Sequence, residues 1–231
     1  MSKQDTIIKM FNDIAPSYDL TNRILSFGLD TKWRQEGCKR TLKTLGKSSH
    51  LHIADVACGS GDMILQWQKL TTHSQYIGID PAQQMLQVAQ TKITNCQFIQ
   101  AQAQSLPLDS ASVDILSIAY GLRNVCDYPT ALQEFYRVLK PNGTLLILDF
   151  MQNPNPNFLQ ACAKFYTQKI LPMIGGWISK NKGAYAYLPN SIEDFASPER
   201  LIAHLRETGF AHIQHQYDYF HISSAFIATK E

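Results

Sequence analysis

Two acidic residues and two glycines, Asp55, Asp80, Gly59 and Gly61, have the types and spacing of a ligand site. Residues 51–62 read LHIADVACGSGD, an apolar run that passes through Asp55 into a turn of small residues. Met63, Ile64, Trp67 and Leu70 follow at helical spacing, so the stretch predicts strand, tight turn and helix, the opening of a βαβ unit. Gly59 and Gly61 lack a Cβ, which lets such a turn take positive φ and lets a ligand approach the backbone. This is not the dinucleotide fingerprint, because Ile64 stands where its third glycine belongs. It is not a P-loop either, because no Lys-Ser/Thr follows the glycines. Residues 75–79, QYIGI, predict a second strand that ends in Asp80. An acid there shares a crevice with the Gly turn and can accept hydrogen bonds from both ribose hydroxyls. A Gly-rich turn alone also occurs without any ligand; the second strand and its acid favour a nucleoside site.

The elements that must hold these residues alternate. Pro81 predicts the start of a helix with Met85, Leu86, Ala89 and Ile93 on one face, and residues 97–101 predict a third strand. Residues 113–120 are nearly all apolar, as suits a strand buried on both faces. Ala131, Leu132, Phe135, Val138 and Leu139 predict a helix, Pro141-Asn142-Gly143 a turn, and residues 145–148 a fifth strand. This rhythm implies a doubly wound, mostly parallel α/β sheet, whose ligands sit beyond the strand C-termini. Before it, residues 1–50 predict a helical cap: an amphipathic helix halted by Pro16, then an aromatic and polar stretch, residues 18–33, that reads equally as packing or as a substrate flap. After it, residues 151–196 carry an apolar run, 158–178, which reads as core, lid or membrane-facing surface. Residues 197–231 predict a last helix capped by Ser197 and ended by Gly209, then two antiparallel strands, 213–218 and 221–229. His212 and His215 fall on opposite faces of a strand and predict no metal site.

Length and composition set the frame. The 231 residues suit a single domain, 1–231, and 45% hydrophobic with 17% charged residues describe a globular chain. A formal net charge of +2 gives no reason to expect nucleic acid. The five cysteines form no C-x-x-C, so reduced thiols are expected and zinc ribbons are not. No secretory signal and no membrane-spanning run is evident, so the expected location is cytoplasmic.

The motif D-x-A-x-G-x-G, Asp55 to Gly61, resembles motif I of the S-adenosylmethionine (SAM) methyltransferases. Tyr18-Asp19, Asn22, Ser26 and Trp33, then GLRNV at 121–125, RVLKP at 137–141 and Tyr185-x-Tyr187-Leu188, together resemble the ubiquinone/menaquinone biosynthesis C-methyltransferases over nearly the whole chain. The resemblance implies a class I, Rossmann-like SAM-methyltransferase fold with an antiparallel last strand, N-terminal helices and a lid insertion. It implies SAM as cofactor, held by Asp55, Gly59, Ser60, Gly61, Asp80, Gln102, Ala103 and Ala119. The chain departs from the family pattern at Thr21, Asp30, Cys58, Ser60, Gln102, Ala119, Asn142 and Asp149, none of which removes an ionisable group the chemistry needs. The implied substrate is a polyprenylated hydroquinone, demethylmenaquinol or the ubiquinone precursor, contacted by Tyr18, Asp19, Asn22 and Tyr185. Its chemistry falls to Arg123, holding a phenolate, and Asn124, orienting it or a water that takes the proton. Arg123 reads otherwise as a structural ion pair, with Asp127 as its nearest acid in sequence. The implied surroundings are peripheral contact with the inner face of a membrane, with self-association left open. The other functions weighed are a non-catalytic SAM-binding organiser of a quinone-biosynthesis complex and a methyltransferase for another lipid-like molecule.

Overall fold

A computed structural model of the chain describes residues 2–151, 165–166, 182–218 and 223–231, with side chains from 187 onward in the third stretch. Seven strands form one sheet: β1 (His52–Val56), β2 (Gln75–Ile79), β3 (Gln97–Ile99), β4 (Val113–Ala119), β5 (Leu139–Phe150), β6 (Phe210–Tyr217) and β7 (Ser223–Lys230). Their order is β3-β2-β1-β4-β5-β7-β6. β1 to β5 pair in parallel, whereas β7 runs antiparallel to both of its neighbours. The order reverses between β1 and β4, so a crevice opens beyond their C-terminal ends.

Among the described residues the α-helices are α1 (Lys3–Ile14), α2 (Tyr18–Leu25), α3 (Leu29–Leu45), α4 (Asp62–Leu70), α5 (Gln83–Lys92), α6 (Tyr128–Val138), α7 (Lys182–Glu193) and α8 (Pro198–Thr208). α6 and α8 bury Leu132, Phe135, Leu201 and Leu205 on one face of the sheet. α3, α4 and α5 bury Cys38, Trp67 and Leu86 on the other. A smaller cluster around Ile14, Ala82 and Met85 ties α1 to α5.

Three expectations are corrected at element ends. α5 begins at Gln83 rather than Pro81, because the Asp80 carboxylate turns back to accept from Ala82 N (2.8 Å). The Pro141–Gly143 turn lies inside β5: Val113 pairs with Leu139 and Ile115 with Thr144, so the three residues are looped out within one long strand. β6 starts at Phe210, directly after the Gly209 cap. The expected lid lies largely outside the described residues, and so does the run 158–178 apart from Phe165 and Tyr166. Residues 182–193 of that stretch are helical, as α7.

Candidate active site

Three strand ends and one helix converge on a cleft of about 650 Å³. The ends of β1, β2 and β4 supply Ala57 and Gly59, Asp80, and Ala119, Tyr120, Gly121 and Asn124 in turn. Gln102 and Ala103 follow β3, and Ile7, Ile8 and Phe11 of α1 close the top. Two of its corners hold non-glycine residues at positive φ, Ala57 (50°) at the end of β1 and Tyr120 (62°) at the end of β4. Such backbone costs roughly 1–3 kcal/mol and persists only where the surroundings fix it. The two corners meet here: a Cβ on Gly121 would come within 2.6 Å of the Ala57 Cβ, so this position admits no side chain.

Asp80 is the polar centre of one end. Its Oδ2 accepts from Gly59 N (2.8 Å) and its Oδ1 from Ala82 N (2.8 Å), so one carboxylate locks the Gly turn to the start of α5. Burial pushes its carboxyl up to about 6, although both backbone N–H groups pull the other way. Asp55 is deeper, and burial raises its carboxyl to about 7 against the pull of the Ser117 hydroxyl. That hydroxyl donates to Asp55 Oδ1 (2.6 Å) and accepts from Trp67 Nε1 (3.0 Å). Gly61 sits at φ 87°, and a Cβ there would strike Ile93 Cδ1 at 2.2 Å, so α4 can start only from glycine.

The N-terminal helices cover the turn and are tied to it. Asp19 accepts from the Ser60 hydroxyl and pairs with Lys92. Lys92 and Arg23 both reach Asp62 (3.2 Å each), and Arg23 continues to Asp30 (2.8 Å). Tyr18 reaches the cleft, and burial raises its phenol while Arg34 and Asn22 pull it back. Asn12 Oδ1 accepts from Gln84 N (2.8 Å) and Gln4 Oε1 from Cys126 N (3.1 Å), fastening α1 across the opening.

The GLRN turn divides the two residues expected to act together. Asn124 lies in the cleft wall with a buried Oδ1 that has no hydrogen-bond partner. Arg123 turns away from it. Its guanidinium pairs with Asp149, donates to the Tyr120 carbonyl (2.7 Å) and to Ser191 Oγ (3.3 Å), and lies over the Phe150 ring. Its ion pair is therefore with Asp149 and not Asp127, which instead caps α6 through Thr130 N (3.2 Å). Sequence spacing hid this partner, because Asp149 reaches Arg123 only through the pairing of β4 with β5. The structure brings Tyr18, Asp19, Asn22 and the Gly turn together with Asp80, Gln102, Ala103, Ala119 and Asn124. The side chain of Tyr185 lies outside the described residues.

A model of the family described as ubiE/COQ5 methyltransferase matches residues 1–230. The chain belongs to that family. It is 51% identical, over the full length of both chains, to a Campylobacter jejuni (strain 81-176) protein named ubiquinone/menaquinone biosynthesis C-methyltransferase UbiE. It is 41% identical to a demethylmenaquinone methyltransferase of Thermus thermophilus, over 87% of this chain and 91% of that one. Among solved structures, a putative S-adenosyl-L-methionine-dependent methyltransferase from Methanococcus maripaludis superposes with a TM-score of 0.66 at 16% identity. It covers 94% of this chain and 91% of its own, and it shows the shared methyltransferase fold. Within this ubiE/COQ5 member, sequence alone assigns no role to Arg34 or Lys92, and it marks Asp149 as a departure from the family pattern without its pairing to Arg123. Arg34 directly follows Trp33 of the N-terminal pattern, which was the one signal available for it.

Proposed function

We propose that this chain transfers a methyl group from SAM to a ring carbon of a polyprenylated hydroquinone, demethylmenaquinol first and the ubiquinone precursor second. The carrying observation is that one cleft holds both the Gly59–Asp80 corner and the unpartnered Oδ1 of Asn124. The residues present fit SAM. Asp80 would take the ribose hydroxyls, Gln102 and Ala103 the adenine side, and Gly59, Ser60 and Gly61 the approach to the turn, with Asp55 and Ala119 behind it. When bound, SAM supplies an electrophilic methyl on a sulfonium centre.

The chain's own residues do the rest. Ile7, Ile8 and Phe11 offer an apolar wall for a quinol ring, Tyr18 borders the same opening, and Asp19 and Asn22 stand behind it on Ser60 and Tyr18. A ring carbon is a poor nucleophile until an adjacent hydroxyl loses its proton. Asn124 Oδ1 would accept a hydrogen bond from a water and so orient that water's lone pair towards the hydroxyl, whose proton the water takes and passes to solvent. Arg123 acts as a positioning residue: by holding the Tyr120 carbonyl and Asp149 it sets the turn that presents Asn124. Alignment of carbon, methyl and sulfur is then the main contribution, worth up to about 7–11 kcal/mol in ideal cases.

A prenyl tail is a bilayer solute, which supports contact with a membrane surface. Leu20, Ile24 and Phe27, at i, i+4 and i+7 of α2 and the turn after it, are 61%, 46% and 80% exposed beside the site. Phe165, 60% exposed, and Tyr166, whose ring lies 6.0 Å from that of Phe27, extend this face. No helix among the described residues is long and apolar enough to cross a membrane. Substrate choice is tested by expressing the chain in bacterial strains that lack the quinone ring methylase and extracting their quinones. Restored menaquinone is expected, and accumulation of demethylmenaquinone despite expression contradicts the assignment.

A further inference from the structure

Tyr120, the residue after β4, is the pivot of the GLRN turn. Its backbone is left-handed at φ 62°, a conformation that a bulky side chain keeps only where its surroundings hold it. Its N–H donates to the Leu148 carbonyl (2.6 Å), and its ring packs against Phe150 at 4.8 Å. Its hydroxyl meets Ser223 Oγ (3.0 Å), and both residues are buried. Ser223, the first residue of β7, is itself fixed by Asp218, the residue after β6. The Ser223 N–H donates to Asp218 Oδ1 (3.0 Å), and the Ser223 carbonyl accepts from Asp218 N (2.8 Å).

What the left-handed corner delivers is the Tyr120 carbonyl, which accepts from Arg123 Nη1 (2.7 Å) and from Asn124 Nδ2 (3.4 Å). A side-chain amide has one donor end and one acceptor end. With Nδ2 turned to this carbonyl, Oδ1 is the atom left without a partner in the cleft wall. The place of one carbonyl therefore decides which end of Asn124 meets the ligand.

We propose that Ser223 and the Tyr120 hydroxyl form an anchor that positions Asn124 for methyl transfer. This rests on the proposed role of Asn124 and deepens it. Ser223 lies 103 residues from Tyr120 in sequence and outside the cleft wall, so it is a positioning residue that acts through Tyr120.

The test is a double-mutant cycle on the full chain, with steady-state kinetics on demethylmenaquinol in detergent micelles. Tyr120→Phe, which keeps the ring and its packing, and Ser223→Ala should each lower kcat about tenfold or more. KM for the quinol, and S-adenosylhomocysteine affinity by calorimetry, should stay within about twofold. The double variant should be no slower than the slower single one, because both changes remove the same hydrogen bond. Ser223→Thr keeps the hydroxyl and should recover most of kcat. In protein labelled with heavy nitrogen at asparagine, the side-chain amide resonance of Asn124, identified by its loss in Asn124→Leu, should move in Ser223→Ala and return in Ser223→Thr. Unchanged kcat in both single variants, multiplied effects in the double one, or an Asn124 resonance that stays in place would each overturn the anchor. A parent protein that transfers no methyl group, while its Asn124 resonance responds to Ser223→Ala, would leave the anchor standing and refute the reaction assigned to Asn124.

Discussion

Arg123 carries a charge into a place where little water reaches, and its side chain is 8% exposed against 0% for its partner Asp149. Removing one member of such a pair leaves the other buried and uncompensated, at roughly 3–5 kcal/mol. Arg123→Ala should therefore melt roughly 6–20 °C below the parent, at about 2–4 °C per kcal/mol for a chain of this size. Asp149 also accepts from the backbone N–H groups of Arg123 and Phe150. Arg123→Met combined with Asp149→Asn removes both charges and keeps one of those two bonds, since the amide has a single acceptor oxygen, so it should recover part of the lost melting temperature while turnover stays low. An Arg123→Ala protein that melts within 2 °C of the parent would overturn the ion-pair account. Asp55 and Asp80 give the pH dependence. Burial holds them protonated up to about 7 and about 6, whereas an unfolded Asp ionises near 3.9. The folded chain thus binds more protons than the unfolded one between about pH 4 and 7. The stability these groups contribute is complete below about pH 4 and is lost as pH rises through 6 and 7. Urea melts of the ligand-free protein should show stability falling from pH 5 to 8, at no more than about 1.4 kcal/mol per pH unit for each proton. Asp55→Asn should flatten the part above pH 6, and an unchanged slope would mean Asp55 is already ionised.

The turn elements were readable because their chemistry is local. The glycines, the acid ending β2, and the Ser197 and Gly209 caps of α8 each act within a few residues. What the sequence hid was long-range: the pairing of Lys92 with Asp19 and Asp62, or of Arg123 with Asp149, depends on how α2, α5 and β5 are brought together. Residues 18–33 are the clearest case, since composition alone left packing and flap equally open. The structure makes them two helices with two faces. One face of α2 turns Tyr18 and Asp19 towards the Gly turn, and the other exposes Leu20, Ile24 and then Phe27 beyond its end. If that outer face meets a bilayer, replacing all three with Ser should abolish co-flotation with phosphatidylethanolamine/phosphatidylglycerol liposomes. The melting temperature should shift little, because exposed substitutions usually change stability by less than about 0.5 kcal/mol each. Undiminished flotation would assign membrane contact to another surface.

At the scale of the whole molecule, the alternation of apolar runs and helical faces was enough to predict a doubly wound sheet, and the order β3-β2-β1-β4-β5-β7-β6 agrees with it. The position of the cleft follows from that order, because β1 and β4 diverge at the switch point and their loops cannot fill the gap. Periodicity could not reveal the long kinked β5, since Pro141-Asn142-Gly143 has the composition of a turn and only pairing on both sides keeps it within the strand. The sheet thus brings the Gly59–Asp80 corner, an apolar wall and an unpaired amide oxygen to one opening, and the proposed function needs all three together. The most direct measurement is methyl transfer by the purified chain, given SAM labelled in its methyl group and demethylmenaquinol in detergent micelles. The account predicts menaquinol carrying the label on a ring carbon at many turnovers per chain, with Asn124→Leu at least a hundredfold slower while its affinity for S-adenosylhomocysteine is retained. Tight binding of S-adenosylhomocysteine with no labelled quinol, or full turnover in Asn124→Leu, would contradict it.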